Sequence, residues 1–143
     1  MPAVPFPGEY FKMIQIHAVA RADAALRPLG LTAAQSDVLR FLSMHAAEET
    51  TVQDIGAFFH LKHPTVIGIL HRLEEKGFIS AAQSPRDRRC RIIRPTAKAD
   101  EVMRVMEQVH EELDARSALG FTDAELLQLR GMLERVYKNV SGG

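Results

Sequence analysis

Basic side chains gather in one quarter of this 143-residue chain. Lysine plus arginine and aspartate plus glutamate both number 18, so the formal net charge is zero. Yet between His60 and Arg94 eight basic residues stand against three acidic ones, which puts +5 on that segment and −5 on the remainder. A field polarised in this way attracts polyanions whatever the total charge. The densest stretch is Arg86-Asp87-Arg88-Arg89, three guanidiniums around one carboxylate. Guanidinium groups suit phosphate recognition, and a neighbouring carboxylate can hold one of them in a fixed direction. Some twenty residues earlier, Lys62, His63 and Thr65 offer donors of the kind that meet phosphates or base edges. Arg72 reaches either a phosphate or the nearby Glu74 and Glu75, and the i,i+3 spacing favours the ion pair.

Other reactive residue types argue for less. Glu107, His110 and Asp114 share one helix face, with His45 or His17 as distant supplements, but solvent-facing histidines and carboxylates are common on long helices, and no metal is expected. Cys90 is the only cysteine, so it makes no internal disulfide and no Cys-x-x-Cys pair, and it reads as a buried structural thiol in a strand. There is no Gly-rich phosphate loop, no Gly-x-Ser-x-Gly elbow and no His-Glu-x-x-His, which points away from an enzyme and from a cofactor. No apolar run approaches the roughly 18 residues of a membrane span, and the first eight residues carry no positive charge of a secretory leader. A cytoplasmic chain with no membrane partner is the expectation.

The elements that must position these residues are mostly helical. Thr32-Ala-Ala-Gln35, Thr50-Thr-Val-Gln53 and Thr122-Asp-Ala-Glu125 each fit a capping box and place three helix starts. Apolar spacing predicts a first helix from about Glu9 to Leu26, carrying Phe11, Ile14, Ala18 and Ala22 and ended by Pro28 and Gly30. A second follows Thr32, and a third of two turns runs from about Val52 to Phe59. A fourth starts near Pro64 with Val66, Ile69, Leu70 and Leu73 as its buried stripe, and Gly77 ends it. Phe78–Ala81 and Cys90–Arg94 are strand-like and flank Ser84-Pro85, which reads as a β-hairpin with a basic tip. Helical spacing returns from Thr96 to about Ser117 and from Thr122 to about Val140. The fold class is mainly α with a small β-hairpin wing. Two helices, a tight turn and a hairpin make a winged helix-turn-helix, whose second helix can enter a major groove.

Five segments in order carry a closer resemblance. Leu29-Gly-Leu-Thr-Ala-Ala-Gln35, Thr65-Val66, Arg72-Leu-Glu-Glu-Lys-Gly-Phe-Ile79, Ser84-Pro-Arg-Asp-Arg-Arg89 and Arg94-Pro-Thr96 resemble the MarR family of bacterial transcription regulators, collinearly from about Glu9 to Val140. The resemblance implies one MarR-like domain over residues 1–143. Its DNA-binding lobe would span about 32–94, and its dimerisation helices about 9–28 and 96–140. It also implies a homodimer on a pseudo-palindromic double-stranded DNA operator, with repression relieved by a small-molecule effector. By the same resemblance Lys62, His63, Thr65 and Arg72 lie on the recognition helix, and Arg86, Asp87, Arg88 and Arg89 on the wing. There Arg89 enters a minor groove and Asp87 orients it. Gly68, His60 and Ala99 depart from the family pattern, replacing a frequent Arg, Gly and Gly respectively.

An effector, aromatic or anionic, is expected in the crevice between the dimerisation helices and the DNA-binding lobe, with His17, Phe41, Met44, His45 and Met103 as its candidate contacts. The competing readings are a metal- or redox-responsive regulator on the same fold and a winged-helix protein-interaction module without DNA. A wing with three Arg in four residues speaks against the last.

Overall fold

Capping side chains set the helix starts. Thr32 accepts from the Gln35 backbone N–H while the Gln35 side chain accepts from Thr32 N–H, and α2 (Ala33–Met44) begins there. Thr122 and Glu125 repeat the arrangement at α6 (Asp123–Val140). Hydrogen bonds to its carboxyl from the Thr122 backbone N–H and, secondarily, the Thr122 hydroxyl hold Glu125 below its ordinary range. The box expected at Thr50 and Gln53 is instead formed one residue later, by Thr51 and Asp54, at the start of α3 (Val52–Phe59). The reason lies in the preceding residue. Thr50 is buried, and its carbonyl accepts from Ile93 N–H at 2.8 Å, so Thr50 acts as a strand partner and the cap falls to Thr51.

The computed structural model describes residues 3–142, which divide into two compact units, one ending at Val109 and one beginning at His110. The first unit opens with α1 (Glu9–Leu26), followed by a 3-10 turn over Arg27–Leu29 and by Gly30 at φ +73°. After α2 and α3 comes α4 (His63–Glu75). Then β1 (Ile79–Gln83) and β2 (Arg91–Pro95) pair antiparallel, from Ile79 opposite Pro95 to Gln83 opposite Arg91. The hairpin therefore sits about one residue later than the spacing predicts, with Phe78 and Cys90 just outside the strands. Helix α5 (Ala99–Ser117) starts three residues after the expected Thr96. Thr96 is held by the hairpin root: its N–H donates to the Phe78 carbonyl and its hydroxyl to the Gly77 carbonyl.

One core organises the first unit. Val38, Leu39 and Leu42 of α2, Ile55 of α3, Val66, Leu70 and Leu73 of α4, Ile79 and Ile93 of the strands and Val102 and Met106 of α5 are buried together. Side chains that recur on one face of each helix, and on one face of each strand, meet at its centre. Helix α1 contributes little to this core, because only Leu26 is fully buried, while Tyr10, Phe11, Met13, Ile14 and Ile16 stay exposed. The second unit holds the end of α5 and all of α6. No residue of α6 is buried, and Leu127, Leu129, Met132, Leu133 and Tyr137 are exposed.

The shifted cap makes a direct test. Asp54→Ala should lower stability by about 1 kcal/mol in urea unfolding, the usual size of a lost cap. Gln53→Ala, at the position that the sequence spacing selects, should change it by less than about 0.5 kcal/mol. The reverse order would place the cap at Thr50.

Candidate nucleic-acid interface

The turn between α3 and α4 depends on a residue in an uncommon conformation. His60 caps α3 with φ +54° and ψ +43°, the left-handed region that favours glycine, and it is the one non-glycine residue with positive φ among the described residues. Its N–H and that of Leu61 both donate to the Gly56 carbonyl. A side chain at Gly56 would crowd the Leu61 carbonyl at 3.2 Å, so the turn is tight because Gly56 has none. This explains why the position of His60 suits glycine, and it sets the direction in which α4 leaves α3.

Lys62 precedes α4 with extended backbone and no side-chain cap, and Pro64 stands in the first turn, where a missing N–H costs nothing. Burial of Val66, Leu70 and Leu73 turns the opposite face outward. That face carries the exposed Thr65, Gly68 and Arg72, and the exposed Lys62 and His63 stand at the start of the helix. A side chain built at Gly68 would meet nothing within 4 Å, so the middle of the face is bare backbone. Arg72 does not take the ion pair that its spacing suggests. Glu75 pairs with His71 at 3.1 Å, and Glu74 faces Arg91 of the hairpin at 3.9 Å. Both carboxylates are thereby engaged elsewhere, and Arg72 forms no ion pair among the described residues.

The hairpin tip is built by short local hydrogen bonds. The Ser84 hydroxyl, on a buried residue, accepts from the backbone N–H groups of Arg86 (3.2 Å) and Asp87 (3.4 Å). Cys90 N–H donates to the Asp87 carbonyl, and the Gln83 side-chain amide to the Arg88 carbonyl at 2.8 Å. The Asp87 carboxylate then serves both neighbours. Its Oδ1 accepts from the Arg89 backbone N–H at 3.0 Å and lies 3.5 Å from Arg89 Nε, while its Oδ2 accepts from the Cys90 thiol at 3.7 Å. The Arg89 side chain is 94% exposed, so it projects into solvent while tethered at its base. Arg86 and Arg88 are exposed and form no ion pair among the described residues. Cys90 is half-buried in the turn rather than buried in a strand, because β2 begins only at Arg91. Partial burial first, then the Asp87 charge and hydrogen bond, push its thiol above the ordinary range, and Arg89 opposes the shift.

The candidate effector contacts fall in different places. Phe41, Met44 and His45, with Asp37, Arg40, Phe58 and Phe59, line a cleft of about 330 Å³. His17 is exposed on α1, and Met103 is half-buried against the core from α5; neither lines that cleft. Phe58 and Phe59 escaped the sequence reading because they end a short helix and pass for its core stripe. Glu107, His110 and Asp114 belong to no metal-holding group among the described residues. Among those residues no helix is long and apolar enough to cross a membrane.

Comparison with known proteins shows what the chain resembles. A model of the MarR family matches residues 29–89, which run from the end of the 3-10 turn through the hairpin tip. The HTH-type transcriptional repressor IacR of Pseudomonas putida is 27% identical over 135 residues, covering 94% of this chain and 80% of that protein. A crystal structure of MarR is 27% identical and superposes with a TM-score of 0.81 over 96% of this chain and all of that one. Over residues 29–89 this chain resembles the MarR family. A complex of S. aureus MepR with DNA matches with a TM-score of 0.82 and 22% identity, over 95% of this chain and 99% of that one, a likeness of fold. What the chain resembles are transcription regulators and not enzymes, which supports a DNA-binding transcription regulator.

The hairpin chemistry yields a prediction. Iodoacetamide should alkylate Cys90 more slowly than a free thiol at mildly alkaline pH. Asp87→Asn should speed the reaction several-fold, about the change expected when the thiol loses a carboxylate acceptor and recovers thiolate. An unchanged rate in Asp87→Asn would mean that the carboxylate does not engage Cys90.

Proposed function

We propose that this chain is a cytoplasmic, homodimeric repressor that binds double-stranded DNA, with α4 in a major groove and the hairpin tip in the neighbouring minor groove. The observation that carries the reading is the Asp87–Arg89 pair. A guanidinium held at its base by a carboxylate and otherwise in solvent is prepared to enter a narrow groove, where negative potential is concentrated. Lys62, His63 and Thr65 sit at the open N-terminus of α4, where side-chain donors and helix N–H groups together suit a phosphate. The bare backbone at Gly68 lets the helix approach base edges closely without a side chain of its own to read them. Arg72, Arg86 and Arg88, which form no ion pair among the described residues, would neutralise phosphates.

Dimerisation is supported by the apolar side chains that a single chain leaves uncovered on α1 and, separately, on α6. Two recognition helices related by a twofold axis would require a pseudo-palindromic operator with half-sites about one helical turn, roughly 10 bp, apart. A small effector that binds next to the DNA-binding lobe, against Phe41, Met44 and His45 with His17 and Met103 as further candidates, would bias the spacing of the two α4 helices and release the operator.

Fluorescence anisotropy with an operator duplex tests the wing. Arg89→Ala should weaken binding about tenfold or more, the usual loss for a specific contact. Asp87→Ala removes a negative charge near DNA, so charge alone predicts tighter binding, whereas orientation of Arg89 predicts weaker binding. The account expects weaker binding, and expects the effect to vanish when Arg89 is already Ala. Tighter binding by Asp87→Ala would overturn the orienting role, and unchanged binding by Arg89→Ala would remove the wing from the interface.

A further inference from the structure

Between the end of α2 and the body of α3 four rings meet on the protein surface. The Phe41 ring lies 4.2 Å from the His45 ring, 4.6 Å from Phe58 and 5.7 Å from Phe59, and Phe58 and Phe59 meet edge to face at 4.9 Å. His45 Nδ1 lies 2.8 Å from the Phe41 carbonyl and donates to it, which fixes the orientation of the imidazole against the Phe41 ring. Phe58 is 61% exposed although its neighbours in the cluster could have covered it, so one of its faces is turned to solvent.

That face borders a cleft of about 650 Å³ lined by Phe41, His45, Glu48, Glu49, Thr50, Asp54, Ala57 and Phe58. Three of these residues are carboxylates and none is Lys or Arg. Asp54 Oδ2 accepts from the Thr51 backbone N–H and hydroxyl at the cap of α3. Glu48 and Glu49 are exposed and form no ion pair among the described residues. The three carboxylates form no group that could hold a metal ion. The same lining presents Phe41 and Phe58, whose ring faces carry the negative end of an aromatic quadrupole. Carboxylates and ring faces favour the same kind of guest, one with positive charge, weak hydration and apolar bulk.

We propose that this cleft binds a small organic cation with apolar substituents, such as a quaternary ammonium or phosphonium ion or a protonated aromatic amine. The apolar groups stack on Phe41 and Phe58, and the charge lies toward Glu48 and Glu49. Every lining residue comes from α2, α3 and their connection, so the site is formed by the DNA-binding lobe alone and needs neither His17 nor Met103. An anionic effector is disfavoured here, because three like charges would face it. Any consequence for the operator rests on the repressor reading given above, since α3 leads through the His60 turn directly into α4. Binding of the cation does not.

Two ions of nearly equal size and opposite charge make the test. Tetraphenylphosphonium and tetraphenylborate are titrated by calorimetry into the full chain without DNA. The phosphonium should bind at least about tenfold more tightly than the borate, should lose about tenfold in Phe58→Ala, and should lose about fivefold in the Glu48→Gln/Glu49→Gln double variant, with the last loss shrinking as salt is raised. Phe58→Leu, which keeps apolar bulk but removes the ring face, replaces Phe58→Ala if circular dichroism shows that the latter does not fold. Equal affinity for the two ions, or phosphonium affinity unchanged in the Phe58 variant and in the double variant, would overturn the assignment. Duplex binding by the unliganded wild type is measured in parallel; its absence would overturn the repressor reading and leave the cation site standing.

Discussion

Every feature of the candidate interface is referenced to one apolar contact, the burial of Val66, Leu70 and Leu73 of α4 against α2, α3 and the hairpin strands. A helix of 13 residues has little stability in isolation, and its direction is set by the face that it buries. Because the same core takes Ile79 and Ile93 of the strands, the outward face of α4 and the hairpin are positioned by one set of side chains. A change of volume at Leu73 or Ile93 would be felt at the DNA-facing surface, although neither residue reaches it.

The second determinant is where charge is left uncompensated. Glu74 and Glu75, the carboxylates nearest the recognition face, pair with Arg91 and His71 at the far end of α4. Asp87 is the only carboxylate at the hairpin tip, and it holds Arg89 by the base without covering it. The basic quarter therefore stays basic after folding. On the opposite side of the α3–α4 turn the sign reverses, with Glu48, Glu49 and Asp54 along a ring-lined cleft. Basic residues that suit a polyanion and the cleft proposed for a cation thus flank the His60 turn in the sequence.

Much of this was legible in the sequence because local rules and tertiary demands agreed. The Thr32 and Thr122 caps, the bounds of α1 and α3, the buried stripe of α4 and the basic hairpin tip all follow from side-chain periodicity and capping chemistry. Some departures come from pairing between residues far apart in the chain, as with Thr50 and Ile93 or Glu74 and Arg91, and the others from local turns and exposure that spacing does not encode. Thr50 fits a cap by spacing, but Ile93 claims its carbonyl. Cys90 looks like a strand residue, but the tip turn takes it and gives its thiol to Asp87. Arg72 has two carboxylates in reach along the helix, and both are drawn off, one by a hairpin residue. Phe58 and Phe59 pass for ordinary core by spacing, and only the folded chain shows that Phe58 faces solvent beside three carboxylates.

The central claim is that the outward face of α4 and the hairpin tip meet the phosphate backbone through basic side chains, among them Arg72, Arg86 and Arg88, which form no ion pair among the described residues. The most direct measurement is duplex affinity as a function of salt concentration. Each neutralised phosphate contributes about −0.9 to the slope of log affinity against log salt, and several contacts per protomer should give a slope of about −4 or steeper for the dimer. A slope near zero, or no duplex binding at low salt, would contradict the claim.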